Sequence, residues 1–216
     1  MSGRARSERG AVAVEAALVT PLLVLVLFGI VEMSLLMRDT VSVNSSVRVA
    51  ARVASVSAAA GPGTCEASGL TPPPCTPADA PALGQAAANA IQRAGSAMPK
   101  DSIERVLVYE AAGTAGIPIG KTAPWTDRTC GSTNCVTYVW DKVLDKFRYS
   151  TGSWRTSTLN ACVNDPNADA VGVALIARHD WITGLIGSGD GFTMTERSVM
   201  QFEPLPHETC MPGLHP

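Results

Sequence analysis

The chain begins with an apolar run that is long enough to cross a membrane. From Ala16 to Met37 nearly every residue is apolar, and Glu32 is the only charged one. As a helix, about 22 residues extend for about 33 Å, which matches the roughly 30 Å hydrocarbon thickness of a bilayer. Three arginines precede the run, at positions 4, 6 and 9. This pattern predicts a retained membrane anchor.

Two other kinds of segment have a similar pattern. A cleaved secretory signal peptide also has a basic start and an apolar middle. This run is longer than a typical signal core, however, and no clean small-x-small cleavage site follows it before Ser42. A buried helix of a soluble protein is the second alternative, although such a helix rarely has so many consecutive Leu, Val and Ile residues. The anchor is the favoured interpretation.

The apolar run continues into a longer predicted helix. Because neither Gly nor Pro occurs between Glu32 and Ala60, we expect one helix from about Val12 to Ala59, with a kink at Pro21. Residues 1–10 are expected to form a short disordered leader. One helical stripe in the outer half consists of Val43, Val47, Ala50 and Ala54.

The remainder of the chain predicts a second helix followed by strands. The second helix follows a loop rich in Pro and Gly, with Asp79 as its N-cap and Pro81 in its first turn. Its apolar stripe consists of Leu83, Ala87, Ala90, Ile91, Ala94 and Met98. Strands are expected at Ile103–Tyr109, Cys135–Trp140, Lys146–Ser150, Ala170–His179 and Phe192–Phe202. The third is expected to pair with the second, and the last to run antiparallel to the strongest, Ala170–His179.

These elements define an α+β fold class. We expect a long amino-terminal transmembrane helix that continues into a small exported domain. The domain has a second helix and a mostly antiparallel sheet of about four to five strands, and it is stapled by disulfides. This arrangement is a pilin-like layout. The expected organisation is a cytoplasmic leader at 1–10, a transmembrane and extended helix at 11–60, and an extracytoplasmic domain at 61–216.

All six cysteines lie in the part that is predicted to be exported. An even number of cysteines in an exported domain favours disulfides, with 15 possible pairings. We expect first a Cys65–Cys75 bridge, then a turn closed by Cys130 and Cys135, whose spacing alone is weak evidence for a metal site. Cys162 is a candidate partner for Cys210. The positive-inside rule independently predicts a cytoplasmic amino terminus and a body outside the membrane.

A carboxylate close to the start of the apolar run carries the most specific signal. Glu15 follows Gly10 by five residues, behind a basic leader and ahead of a long apolar helix, and this arrangement resembles the prepilin signal of type IV pilins. More closely, residues 9–41 (RGAVAVEAALVTPLLVLVLFGIVEMSLLMRDTV) resemble the amino-terminal segment of TadE/TadG-like proteins, the pseudopilins of tight-adherence (Tad, Flp) pilus systems. The resemblance covers roughly residues 9–55, and the rest of the chain only by layout.

The resemblance implies a processing site and an assembly residue. A prepilin peptidase would cleave after Gly10 and leave Ala11 as the new amino terminus. Glu15 would then neutralise the terminal amine of a neighbouring subunit, since pairing offsets part of the cost of burying both charges. The alternative for Glu15 is a carboxylate that extends to the membrane interface. Glu32, near the outer end of the run, either extends to the interface or has a role in subunit contact. Implied partners are the lipid bilayer, the prepilin peptidase, other pilins and the Tad assembly platform.

Little in the sequence indicates catalysis. The three histidines, His179, His207 and His215, have no metal-ligand spacing, and no nucleophile-elbow motif is present. We therefore predict no catalytic residues, no metal, no cofactor and no small-molecule substrate, and the net charge of −2 does not indicate nucleic-acid binding. A membrane-tethered binding module is the main alternative function, and a membrane-anchored hydrolase is a minor one. Because simple pilins of this system are very short, a minor pilin, tip protein or assembly factor fits this chain better.

Overall fold

A computed structural model describes residues 4–63, 79–94, 98–112, 116–126, 128–131, 133–184, 191–206 and 208–210. The helices and strands are α1 (Arg4–Val56), α2 (Ala82–Arg93), β1 (Ile103–Ala112), β2 (Ile117–Pro118), β3 (Cys135–Asp141), β4 (Lys146–Ser153), β5 (Ala170–His179) and β6 (Phe192–Gln201). Short 3₁₀ turns lie at Ala58–Ala60, Lys100–Ser102 and Thr156–Thr158. The predicted α+β class is confirmed: a long apolar amino-terminal helix, a second helix, an antiparallel sheet and disulfides are all present.

The chain divides into two compact units. The helix unit consists of Met1–Asp39 and His179–Phe192, and the sheet unit consists of Thr40–Arg178 and Thr193–Pro216. The helix unit therefore joins the first part of α1 to a segment that is far away in sequence.

Helix α1 begins earlier than the sequence predicted. It starts at Arg4 instead of Val12, so the expectation of a disordered leader is wrong from Arg4 onward. Arg, Ala, Ser and Glu are all compatible with a helix. Extending an existing helix costs far less free energy than forming its first turn. The helix ends at Val56, and Ala58–Ala60 tighten into a 3₁₀ turn before Gly61. Gly61 has φ 75° and ψ −170°, a conformation that residues with a Cβ rarely adopt.

In the sheet unit, β1 lies at the centre of the sheet. The strand order is β4-β3-β1-β5-β6, and the short β2 pairs with β1. Strands β3 and β5 flank β1 in antiparallel register, with Val106 opposite Tyr138 and Val108 opposite Val173. The hairpin of β3 and β4 is also antiparallel, as predicted from the turn at residues 142–145.

The strand predictions differ from the structure mainly at their ends. The bounds of β5 are those predicted, and β6 ends one residue early, at Gln201. Strand β4 runs three residues further, to Ser153, and β1 runs to Ala112. Strand β2 falls in a predicted loop, because a two-residue strand that contains a proline has no periodic pattern to detect.

Helix α2 is shorter than predicted and is capped differently. It spans Ala82–Arg93, with Pro81 at the N-cap position and no side-chain cap, so the assignment of Asp79 as the N-cap is wrong. The main-chain oxygen of Asp79 instead accepts a hydrogen bond from the N–H of Trp154. Met98 is buried, although it lies beyond the end of the helix.

The core of the sheet unit uses the apolar stripes of both helices. The predicted α1 stripe (Val43, Val47, Ala50 and Ala54) is fully buried, as are Leu83, Ala87 and Ile91 of α2. Gly84 lets α2 lie close to the sheet, because a Cβ at this position would come within 2.6 Å of the hydroxyl of Tyr138. Packing this tight explains why a helix rich in Ala forms the layer over the sheet.

Among the described residues of the sheet unit, two disulfides close loops. Cys130 is bonded to Cys135, and Cys162 to Cys210, as the sequence predicted. The predicted bridge between Cys65 and Cys75 lies outside the described residues.

Candidate functional site

The surface of α1 between Gly10 and Val31 is uncovered and apolar. The large apolar side chains along it are 39–74 % exposed. The most apolar stretch of 18 residues has a mean hydropathy of 2.5, and none of it is buried. A core helix of a soluble protein would be mostly buried, so this surface requires an apolar environment from outside the chain. The long apolar helix suggests membrane anchoring.

Gly10 and Glu15 both lie on this uncovered surface. A Cβ at Gly10 would meet no atom within 4 Å, and its backbone is helical, so neither packing nor conformation requires a glycine there. Glu15 is exposed among apolar side chains. Among the residues that the structure describes, none forms an ion pair or hydrogen bond with its carboxylate. A carboxylate in an apolar environment is stabilised by a cationic partner, and the described residues supply none to Glu15.

Glu32 is enclosed by a segment that follows β5. Its side chain is fully buried, and Oε1 accepts a hydrogen bond from the backbone N–H of Thr183 at 2.5 Å. Its other oxygen, Oε2, receives no hydrogen bond from the described part of the chain. The structure thus places Glu32 in contact with a distant segment of its own chain.

A second buried carboxylate of α1 holds the start of the same segment. Nδ1 of His179 lies 2.7 Å from Oδ2 of Asp39, and both side chains are nearly fully buried. The ring of Trp181 packs edge-on against the imidazole, with 5.3 Å between ring centroids. Arg38 pairs with the other carboxylate oxygen of Asp39 at 3.1 Å. The segment is therefore attached to α1 through two carboxylates seven positions apart, which is about two helical turns.

Sequence reasoning missed this pair of attachments. The sequence indicated only that His179 has no metal-ligand spacing, yet its Nδ1 lies within hydrogen-bonding distance of the buried carboxylate of Asp39. The one available signal was that both Glu32 and Asp39 are carboxylates close to an apolar run, where burying an unpaired charge is costly. Of the other histidines, His207 and His215 lie outside the described residues. No cluster of His, Cys, Asp and Glu that could hold a metal ion occurs in the described ranges.

The sheet unit contains a separate hydrogen-bonded carboxylate cluster beside the Cys162–Cys210 bridge. Oδ2 of Asp169 accepts the backbone N–H of Asn160 at 2.7 Å. Burial, helped by the nearby charges of Glu110 and Asp165 and opposed by the hydrogen bond from Asn160, raises the pKa of Asp169 to about 6. Hydrogen bonds from Asn160 and Asn167 instead hold the pKa of Asp165 below its usual value. The two carboxylates of this cluster thus titrate in different pH ranges.

One comparison with known proteins gives a match, and it covers the amino-terminal part of the chain. Residues 10–52 match the model of a family described as TadE-like protein. The matched range begins at Gly10 and contains Glu15, Glu32 and Asp39. The predicted resemblance is confirmed over this range, and it indicates a role related to Tad pili. The chain matches no curated protein and no solved structure.

Proposed function

We propose that this protein is a TadE/TadG-like minor pseudopilin or pilus-assembly protein of a Tad-type system. The observation that carries the proposal is the match of residues 10–52 to the TadE-like family. The uncovered apolar surface of α1, which begins at the same residue as the match, supports it. The domain at 61–216 makes the chain much larger than a simple filament subunit, which favours a minor or accessory position.

The proposed topology is a single membrane pass with the carboxyl-terminal domain outside the cytoplasm. Residues 11–60 form the anchor and its extension, and the arginines at 4, 6 and 9 keep the leader, residues 1–10, in the cytoplasm. The two disulfides of the sheet unit support this orientation, because disulfides persist in oxidising compartments. The protein resides in the cell membrane and from there enters a surface pilus or assists its assembly.

Processing by a prepilin peptidase after Gly10 is the second part of the proposal. A glycine inside a helix is less favourable than alanine by about 1 kcal/mol. No packing interaction at Gly10 offsets this cost, since a Cβ there would meet no atom within 4 Å. Because the fold does not require this glycine, its presence is consistent with recognition by a peptidase. Cleavage would leave the amine of Ala11 inside the apolar surface.

Assembly is the third part of the proposal, and it assigns a partner to Glu15. After processing, the amine of Ala11 on a neighbouring pilin supplies the cation that Glu15 lacks among the described residues of its own chain. In a low-dielectric environment the two opposite charges attract strongly, which offsets part of the desolvation cost of each. The other partners are the components of the Tad assembly platform. The protein is not an enzyme under this proposal, because its role is one of contact and not of chemistry.

The substitution Glu15→Ala tests this function. We expect the variant to be processed after Gly10 and to stay in the membrane fraction, but to be depleted from sheared pili and from complexes with other pilins. Glu104→Ala is the matched control, since Glu104 is an exposed carboxylate on β1. Equal recovery of the wild type and of both variants in pilus fractions would overturn the assembly role. An absence of all three from pilus fractions and pilin complexes would instead favour a membrane-tethered binding module.

A further inference from the structure

We propose that the segment Trp181–Gly184 is a second membrane contact that inserts into the outer boundary of the bilayer beside α1. This inference rests on the proposed anchoring of α1 in the membrane, and it adds a partner, lipid, for a part of the chain that lies far from the anchor in sequence. It is carried by the position of the segment along α1, by its exposed apolar side chains and by the hydrogen bond that Glu32 accepts from its backbone.

The depth of the segment follows from its contact with Glu32. Arg38 marks the outer end of the apolar run, and its charged side chain is 53 % exposed. Glu32 lies six positions earlier on α1, or about 9 Å toward the membrane at 1.5 Å per residue. Because Thr183 is hydrogen-bonded to Glu32, it lies at the same level. Segments that lie in a membrane interface are typically buried by about 5–10 Å, so this depth fits an interfacial element.

The side chains of the segment suit that depth. Ile182 is 72 % exposed, so the described residues do not cover it. Val31 and Met33 of α1 flank the level of Glu32, and they are 50 % and 45 % exposed. Trp181 precedes Ile182, and tryptophan is enriched where the headgroups meet the acyl chains. The exposed apolar surface of α1 thus continues onto the loop, and lipid is the occupant that covers both.

The contact also accounts for a carboxylate within the apolar run. Irregular backbone at the outer boundary of the bilayer leaves most of its water, so its polar groups need hydrogen-bond partners, and an unsatisfied group there is costly. Glu32 accepts the N–H of Thr183 at the level where this requirement applies. Higher on the helix, the Asp39–His179 pair fixes the start of the segment. Glu32 is therefore a positioning residue that supplies the acceptor for the entering loop.

Photo-crosslinking of the full chain in vesicles of phosphatidylcholine and phosphatidylglycerol tests this inference. Three variants each carry one benzophenone amino acid: Ile182→benzoylphenylalanine, Leu23→benzoylphenylalanine on the exposed surface of α1, and Val143→benzoylphenylalanine. Val143 is the matched control, because it is an apolar residue that is 93 % exposed in the sheet unit. The readout is the mass of the illuminated protein. We expect phospholipid adducts at positions 23 and 182 and only background at 143.

Each other result identifies what has failed. Adducts at 23 but not at 182 would overturn the loop contact and leave the anchor intact. A protein–protein adduct at 182 would overturn it too, by showing that a second copy covers the loop. An absence of adducts at 23 would overturn the anchoring itself. In the Ile182 variant, adding Glu32→Leu should reduce the lipid adduct severalfold, whereas Glu32→Gln retains a carbonyl acceptor and should preserve it. Equal yields from both would contradict the positioning role.

Discussion

Nδ1 of His179 lies 2.7 Å from Oδ2 of Asp39, although the two residues are 140 positions apart in the chain. Their side chains are only 4 % and 7 % exposed. The pair joins the last residue of β5 to α1, two helical turns after Glu32. Together with the hydrogen bond between Glu32 and Thr183, it holds the segment against the helix at two levels.

Loss of this pair should release the segment from α1. In Asp39→Ala, His179 remains buried without its hydrogen-bond partner, and leaving a buried polar group unsatisfied typically costs about 1–3 kcal/mol. We expect the free energy of opening of residues 179–183 to fall by about that amount. Hydrogen–deuterium exchange of these amides in the full chain measures it.

An exposed ion pair provides the control for Asp39→Ala. Lys142 and Asp101 are 3.4 Å apart, with side chains that are 74 % and 53 % exposed. The substitution Asp101→Ala should lower stability by less than about 1 kcal/mol, because water screens the pair. Similar, small effects of the two substitutions would show that the Asp39–His179 pair does not hold the segment.

The raised pKa of Asp169 predicts a pH-dependent stability. Burial raises this pKa from 3.8 to about 6, so between about pH 4 and pH 6 the folded protein binds more protons than the unfolded chain. Stability therefore falls as the pH rises through this window, and it levels off above it. Asp169→Asn should remove the slope and stabilise the protein at pH 7 by about 1 kcal/mol, a value reduced for the partial exposure of the side chain. Denaturant unfolding at several pH values measures both effects.

Asp141 should behave in the opposite way and thereby serves as the control for Asp169. The N–H of Leu144, with that of Val143 and the charge of Arg148, lowers the pKa of Asp141. Its contribution is present above its unfolded pKa and is lost as the pH falls through the lower folded value. In Asp141→Asn the slope between pH 4 and pH 6 should persist. A wild-type protein without that slope would contradict the environment assigned to Asp169.

The two disulfides should differ in their contribution to stability. The Cys162–Cys210 bridge spans 48 positions and the Cys130–Cys135 bridge spans 5. On the chain-entropy estimate, these loops correspond to about 4 and about 2 kcal/mol. Replacing both cysteines of one bridge by alanine should therefore destabilise the protein more for the long loop. Equal decreases in the free energy of unfolding, measured with denaturant, would show that the bridges act through local packing.

Local patterns predicted much of this structure, and long-range contacts were not predictable. The period of β5 and the spacing of Cys130 and Cys135 are properties of short segments, so the sequence alone indicated them. The contacts of Glu32 with Thr183 and of Asp39 with His179 join residues 151 and 140 positions apart. These contacts depend on where β5 ends relative to α1, and the local pattern of apolar residues does not specify that position. Gly10 and Glu15 were identified from their resemblance to a processing motif, and no contact in the described fold requires either residue.

The mature amino terminus tests the central claim most directly. The protein is isolated from membranes of cells that express a prepilin peptidase, and its intact mass and amino-terminal peptide are determined. We expect a chain that starts at Ala11. Gly10→Val should abolish this cleavage, whereas Ala17→Val, the same kind of change at an exposed position of the same helix, should not. A wild-type chain that keeps Met1 or Ser2, or one cleaved near Ser42 like a secretory signal peptide, would contradict the assignment as a pseudopilin.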